Sequence, residues 1–140
     1  MPLAMDRAEL QAFLTAELPQ VAGDFRVEEV AEGFVRVRHV ITERHLRPGG
    51  TVSGPTMFSL ADVGVYLAIL AMIGPRALAV TTNCSIDFMR KPAAGRDLIC
   101  ATTILKSGRV LTVGDCLIYS EGQPRPVARA TLTYSIPPEH

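Results

Sequence analysis

The side chain that stands out chemically is Asp62. Its neighbours Leu60, Ala61, Val63 and Val65 are all apolar. A carboxylate in such surroundings loses hydration, a cost that persists only where the group is paired or put to use. On the residues alone two readings stay open: a reactive carboxylate, or a group at an exposed helix edge making a structural hydrogen bond. The other groups capable of chemistry are dispersed. His39, His45 and His140 are too scattered for a metal site, and only His45, in a loop, is placed to reach a pocket. Cys84, Cys100 and Cys116 are an odd number in apolar, strand-like stretches without CxxC or Cys/His spacing, so they read as reduced core residues and no metal is expected. No GxSxG elbow, P-loop or GxGxxG is present, and serine-hydrolase, nucleotide and dinucleotide chemistry fall away.

The element that must position Asp62 is a helix from about Pro55 to Ile73. Ser53 or Gly54 can cap it, Pro55 suits its first turn because no N–H partner is needed there, and Gly74-Pro75 stops it. The helix is apolar on nearly every face, so it must be surrounded rather than laid on a surface. Its longest apolar run, Val63 to Ile73, is about 11 residues, short of the roughly 20 that a membrane span needs. Ahead of it, Glu43 to Gly54 is rich in charge, Pro and Gly, and is a candidate site loop.

Alternation of apolar and polar residues predicts a hairpin from Phe25–Val30 and Phe34–Ile41, turning at Glu32-Gly33. Four further strands are predicted at Leu78–Phe88, Asp97–Lys106, Val110–Tyr119 and Val127–Ile136, in succession as an antiparallel meander. A short amphipathic helix, Asp6–Leu18, precedes them all, with Asp6 as N-cap and Pro19 beyond its end. The expected architecture is one α+β domain over residues 1–140, a long central helix wrapped by a five- to six-stranded antiparallel sheet.

Fourteen basic side chains balance fourteen acidic ones and 48% of residues are hydrophobic, so the chain can bury a core and offers no field to draw nucleic acid or an anionic membrane. The charged start, MPLAMDRAELQAFL, lacks the apolar segment of a signal peptide, and a cytoplasmic location is the default expectation.

The stretch from His45 through Arg47-Pro48-Gly49-Gly50 and Ser53-Gly54-Pro55 to Phe58-Ser59-Leu60-Ala61-Asp62 resembles the hotdog-fold acyl-CoA thioesterases of the phenylacetate-degradation type. The resemblance runs in element order through most of the chain, including the turn Lys106-Ser107-Gly108-Arg109. It implies that Asp62 is the catalytic carboxylate, a general base on water or a nucleophile at the thioester. It further implies that the Gly54 N–H, at the positive end of the helix, stabilises the oxyanion, and that Thr81 positions the attacking water from the neighbouring subunit, with Thr82 as the adjacent candidate. The family's histidine is replaced by Ser53, which can still donate to a leaving sulfur, and its second glycine by Pro55. Arg47 stands where the family often has an amide, placed to hold a carbonyl or an acidic group.

The substrate so implied is an acyl-CoA or acyl-pantetheine ester, with no separate cofactor. Arg90, Lys91, Lys106 and Arg109, at strand ends, are the candidates for its phosphates. The resemblance also implies a homodimer or homotetramer, because a single sheet covers one side of an all-apolar helix and an unpaired sheet edge invites a partner strand. A non-catalytic acyl-thioester binding or regulatory domain on the same fold competes with the hydrolase. A hydratase or dehydratase ranks lower, because its usual Asp and His pair is missing from the loop.

Overall fold

The computed structural model describes residues 2–138. Helix α1 (Arg7–Glu17) opens on a capping box in which Asp6 accepts from the Glu9 N–H at 2.9 Å and Glu9 accepts from the Asp6 N–H at 3.1 Å. Two amides that a helix start leaves unpaired are thereby satisfied. Strands β1 (Phe25–Ala31) and β2 (Phe34–His39) form the expected hairpin. Its turn uses Gly33 at a φ of 70°, a conformation that glycine reaches without a Cβ penalty. Then follow helix α2 (Gly54–Ile73) and strands β3 (Val80–Phe88), β4 (Leu98–Ser107), β5 (Leu111–Ser120) and β6 (Ala128–Ser135).

The sheet has six strands in the order β1-β2-β4-β5-β6-β3, with every pairing antiparallel. This corrects the meander in chain order. Only β4, β5 and β6 form one, while β3 pairs with β6 at the far edge and β2 takes β4 as its neighbour. Helix α2 is the reason: it carries the chain across the inner face of the sheet from β2 to the opposite edge, and β4 then fills the open side of β2. Register follows burial, because Val35, Val37 and His39 of β2 stand opposite Thr102, Cys100 and Leu98 of β4, all six of them buried.

The core lies between that inner face and α2, whose Leu60, Ala61, Val65, Leu67, Ala68 and Leu70 are buried. Contact is closest at Gly64, where a Cβ would lie 2.6 Å from Thr102 Oγ1 and 3.1 Å from Cys100 Sγ. Cys100 and Cys116 are free thiols in this core, and Cys84 is a half-buried one. At 20 residues and a mean hydropathy of 1.9, α2 extends beyond the apolar run read from the sequence and meets the length and apolarity of a membrane span. In this fold 67% of its most apolar stretch is buried. The less covered stripe runs through Phe58, Ser59, Asp62 and Val63.

Candidate active site

Asp62 sits on the bare stripe of α2, facing the edge of the sheet where β3 and β6 pair. Thr81 and Tyr134 are directly opposite one another in that pairing, and both reach the carboxylate. The Thr81 hydroxyl donates to Asp62 Oδ1 at 2.5 Å. The Tyr134 hydroxyl lies 2.7 Å from the same oxygen and 3.0 Å from the Asp62 carbonyl oxygen, so its single proton serves both. Asp62 Oδ2 accepts no hydrogen bond among the described residues and is not sealed from solvent. Burial of Tyr134, reinforced by the Asp62 charge, pushes its phenol far above the usual range, so it remains a proton donor at every working pH.

A pocket of about 370 Å³ opens over these groups, walled by Leu18, Val63, Tyr66, Ala79 and Val80. Tyr66 is fixed there from two sides: its hydroxyl donates to the Ala77 carbonyl at 3.1 Å, and its ring stacks on Tyr134 with centroids 6.0 Å apart. A β-bulge between Thr81 and Asn83 separates the two threonine candidates. Thr81 points into the pocket, whereas Thr82 is exposed and its hydroxyl is spent on the Thr133 carbonyl at 3.3 Å. Tyr134 was missed by sequence reasoning, although an inward-facing tyrosine on a core strand does call for a hydroxyl partner.

The other end of the helix is built differently. Ser53 is the N-cap, accepting from the Thr56 N–H at 3.3 Å and sharing a 2.8 Å hydrogen bond with the Thr56 hydroxyl. Its hydroxyl is therefore engaged in the cap, and Ser53 lines neither the pocket at this end of the helix nor that of Asp62. Gly54 begins the helix, and its N–H has no partner among the described residues, as expected at a first helical position. It lines a larger pocket of about 650 Å³ with Arg47, Thr51, Met57, Phe88, Arg90 and Lys91. Arg90 and Lys91 also line an adjoining pocket of about 270 Å³, which adds Arg125 from the turn before β6. Among the described residues Arg47, Arg90, Lys91 and Arg125 make no ion pair, in contrast to Arg36, Arg38, Arg44 and Arg129, each of which holds a carboxylate. Lys106 and Arg109, at the β4–β5 turn, line none of these pockets.

His45 does not face a pocket, contrary to the sequence expectation. The chain folds back so that its ring is buried against His39, with centroids 4.6 Å apart. Nδ1 accepts from the Thr42 N–H at 2.9 Å, and Nε2 is a buried atom without a hydrogen bond among the described residues, 3.7 Å from Asp24 Oδ2. The His45 carbonyl accepts from the Ser53 N–H at 2.9 Å, so this residue anchors the loop to the start of α2. Among the described residues no cluster of three His, Cys, Asp or Glu side chains could hold a metal.

Comparison with known proteins places this geometry. The thioesterase superfamily profile matches residues 49–127, from the glycine loop to the start of β6. A crystal structure from Silicibacter sp. TM1040, described as a thioesterase, is 56% identical, covers 99% of this chain and 96% of its own, and superposes with a TM-score of 0.93. The phenylacetic acid degradation protein PaaI of Thermus thermophilus, solved as a point mutant, is 26% identical over 85% of this chain and 99% of its own, with a TM-score of 0.72. A thioesterase-named protein of Streptococcus pneumoniae, crystallised with coenzyme A, is 21% identical, covers 91% of this chain and 98% of its own at a TM-score of 0.76, and shares the fold. The profile match over more than half the chain, joined to the hotdog architecture and the 56% identical structure, makes this chain a member of the thioesterase superfamily and a thioester hydrolase.

Proposed function

We propose that the protein hydrolyses an acyl-CoA ester with Asp62 as its reacting carboxylate and the Gly54 N–H as oxyanion donor. The observation that carries this reading is a carboxylate at the floor of an apolar pocket, held by a threonine hydroxyl, with one oxygen left open. Acting as a base, that oxygen takes a proton from water as the water oxygen bonds to the thioester carbonyl carbon. The resulting oxyanion collapses, the carbon–sulfur bond breaks, and the proton passes to the leaving thiolate. Acting as a nucleophile, it would instead expel the thiolate to form a mixed anhydride that water then cleaves.

Two copies of the chain are needed. Asp62 lies eight residues after Gly54 on one straight helix, about 12 Å along its axis at 1.5 Å per residue. Their pockets share no residue. One thioester carbonyl cannot touch the Gly54 N–H and meet a water held by Asp62 of the same protomer, so the second group comes from a partner. Among the described residues the outer edge of β3 has no neighbouring strand, and Val80, Phe88 and Met89 beside it are exposed apolar side chains. An edge of that kind suits pairing with a second β3. Thr81 would then act with Asp62 of its own protomer, facing Gly54 of the other.

Coenzyme A as the carrier is supported by the cations Arg47, Arg90, Lys91 and Arg125 around the Gly54 pocket and its neighbour, and by the coenzyme A complex of the Streptococcus pneumoniae structure. Lys106 and Arg109 have no such pocket and drop behind these four. The test is free-thiol release from short, medium, long and aromatic acyl-CoA esters by the parent and by Asp62→Asn shown to be folded and oligomeric. A loss of at least about a hundredfold is expected for removing a general base, and unchanged turnover in the variant would sink the assignment of Asp62.

A further inference from the structure

The carboxylate of Asp62 is held asymmetrically. Both hydroxyls that reach it converge on Oδ1, from Thr81 at 2.5 Å and Tyr134 at 2.7 Å, and Oδ2 has no partner among the described residues. An aspartate free to turn about its last torsion would offer either oxygen to a substrate, because that torsion is broad and nearly two-fold. Two donors on one oxygen remove the choice. We infer that Tyr134 is a positioning residue of the hydrolysis: with Thr81 it pins Oδ1 and leaves Oδ2 as the oxygen that meets water or substrate. This inference rests on Asp62 being the reacting carboxylate.

Tyr134 is built for a fixed geometry. It is 3% exposed and stacked on Tyr66, which is itself tied to the Ala77 carbonyl and packed 6.1 Å from Phe13 of α1. Its contact with the Asp62 carbonyl oxygen ties the same phenol to the helix backbone, so the height of Asp62 above the sheet and the rotation of its side chain are set by one group. The titratable groups near Asp62 are Tyr134 on β6, Cys84 on β3 and Tyr66 one turn along α2, with Glu17 of α1 acting on Tyr66. None is a cation, so the two hydroxyls are the side chains that orient the carboxylate. Removing one loosens it.

The experiment compares parent, Tyr134→Phe and Asp62→Asn as folded oligomers, reading kcat and KM for thiol release together with the urea midpoint of each. Phenylalanine keeps the ring and its stack and deletes only the hydroxyl. The expected result is a fall in kcat of about tenfold to a hundredfold, the scale of a lost hydrogen bond to a charged group, with KM within about twofold. Loss of packing would instead lower the urea midpoint or raise KM. Placing 4-aminophenylalanine at position 134 restores an N–H donor where the hydroxyl was and should recover most of the lost kcat, and it keeps the test available if Tyr134→Phe folds poorly. An unchanged kcat in Tyr134→Phe, no recovery with the restored donor, or a kcat loss that tracks only unfolding or dissociation overturns the role of Tyr134. If Asp62→Asn is inactive and Tyr134→Phe behaves like the parent, this inference alone fails. An active Asp62→Asn removes the underlying reading, and this inference with it.

Discussion

The two ends of helix α2 solve opposite problems. At the Asp62 end, hydroxyls from two adjacent strands and a stacked tyrosine pair hold one carboxylate in place. At the Gly54 end, a loop with Gly49 and Gly50 at φ of 99° and 82° presents a bare N–H and an open groove edged by cations. Strands fix a group to within the tolerance that proton transfer demands, whereas a loop leaves room for a large, flexible ligand. On the proposed reading, the carboxylate that transfers the proton stands on the helix and is held by the sheet edge, and the surface that recognises the carrier is built from loops around the helix start.

The sharpest way to test this division, beyond replacing Asp62 itself, is to separate the Gly54 N–H from the space around it. Gly54→Pro deletes the N–H at a helix position that tolerates proline, and should lower kcat by about a hundredfold to a thousandfold, the scale of one lost oxyanion donor. Gly54→Ala keeps the N–H and adds a Cβ 3.3 Å from Phe88 Cζ. Phe88 is 53% exposed and can swing aside, so the alanine variant should stay within about tenfold of the parent. Equal losses in steady-state thiol release would mean that the groove's shape, rather than the N–H, is what matters there.

At the other end, Gly64→Ala tests whether Asp62 depends on close docking of the helix. Alanine gains about 1 kcal/mol in helix propensity. Its Cβ would nevertheless lie 2.6 Å from Thr102 Oγ1 in the packed core, and overpacking costs about 1–3 kcal/mol. The net expectation is a lower urea midpoint together with a lower kcat, because the helix must lift off β4 and carry Asp62 away from Thr81 and Tyr134. A variant as stable as the parent would show that the helix can rise without cost.

How much of this was legible in the sequence follows from what a pattern can encode. A charged residue inside an apolar helix betrays itself, so Asp62 was visible, and a Ser-Gly-Pro start betrays a helix end, so Gly54 was too. Thr81 came only through family resemblance, and Tyr134 did not come at all. It lies 72 residues from Asp62, on a strand whose alternation with Ala130 and Leu132 reads as core. Periodicity reports which face of a strand is buried but is silent on its neighbours, so the placement of β3 beside β6 was lost, and with it the pairing of Thr81 with Tyr134. His45 misled for the converse reason: a polar loop suggests exposure, and only the fold shows that this loop begins by tucking its histidine under the hairpin.

Recognition at the Gly54 end should break without disturbing the chemistry. Arg125→Glu puts a negative charge in the adjoining pocket and should raise KM for an acyl-CoA ester on the order of tenfold, the scale of losing a charge-assisted contact to phosphate. Turnover of the matching acyl-pantetheine ester, which lacks the nucleotide, should not change. Arg36→Glu, which disturbs the ion pair with Glu29 on the distant hairpin, is the control and should leave both substrates alone. Equal effects of Arg125→Glu on the two esters would place the nucleotide elsewhere.

The smallest effect distinguishes the two ends by pH. Burial holds the His39 imidazole below its ordinary value, with the nearby His45 lowering it further against the opposing hydrogen bond to Val40 and the charge of Asp24. A histidine whose pKa is lower in the folded state than in the unfolded chain binds fewer protons when folded. Its contribution to stability is therefore fully present above about pH 6.5, the unfolded value, and is lost as pH falls through the folded value. The His39 ring packs against that of His45, with centroids 4.6 Å apart, so a charge gained by His39 is felt in the loop. Mild acid should therefore loosen residues 43–53 while the β3–β6 edge, where no histidine sits, keeps its protection. Amide hydrogen exchange at pH 7.5 and 5.5, corrected for the intrinsic rate, reads this directly. His39→Gln should flatten the pH dependence of the loop, and a loop whose protection is the same at both pH values in the parent would show that the buried histidines do not govern the recognition end.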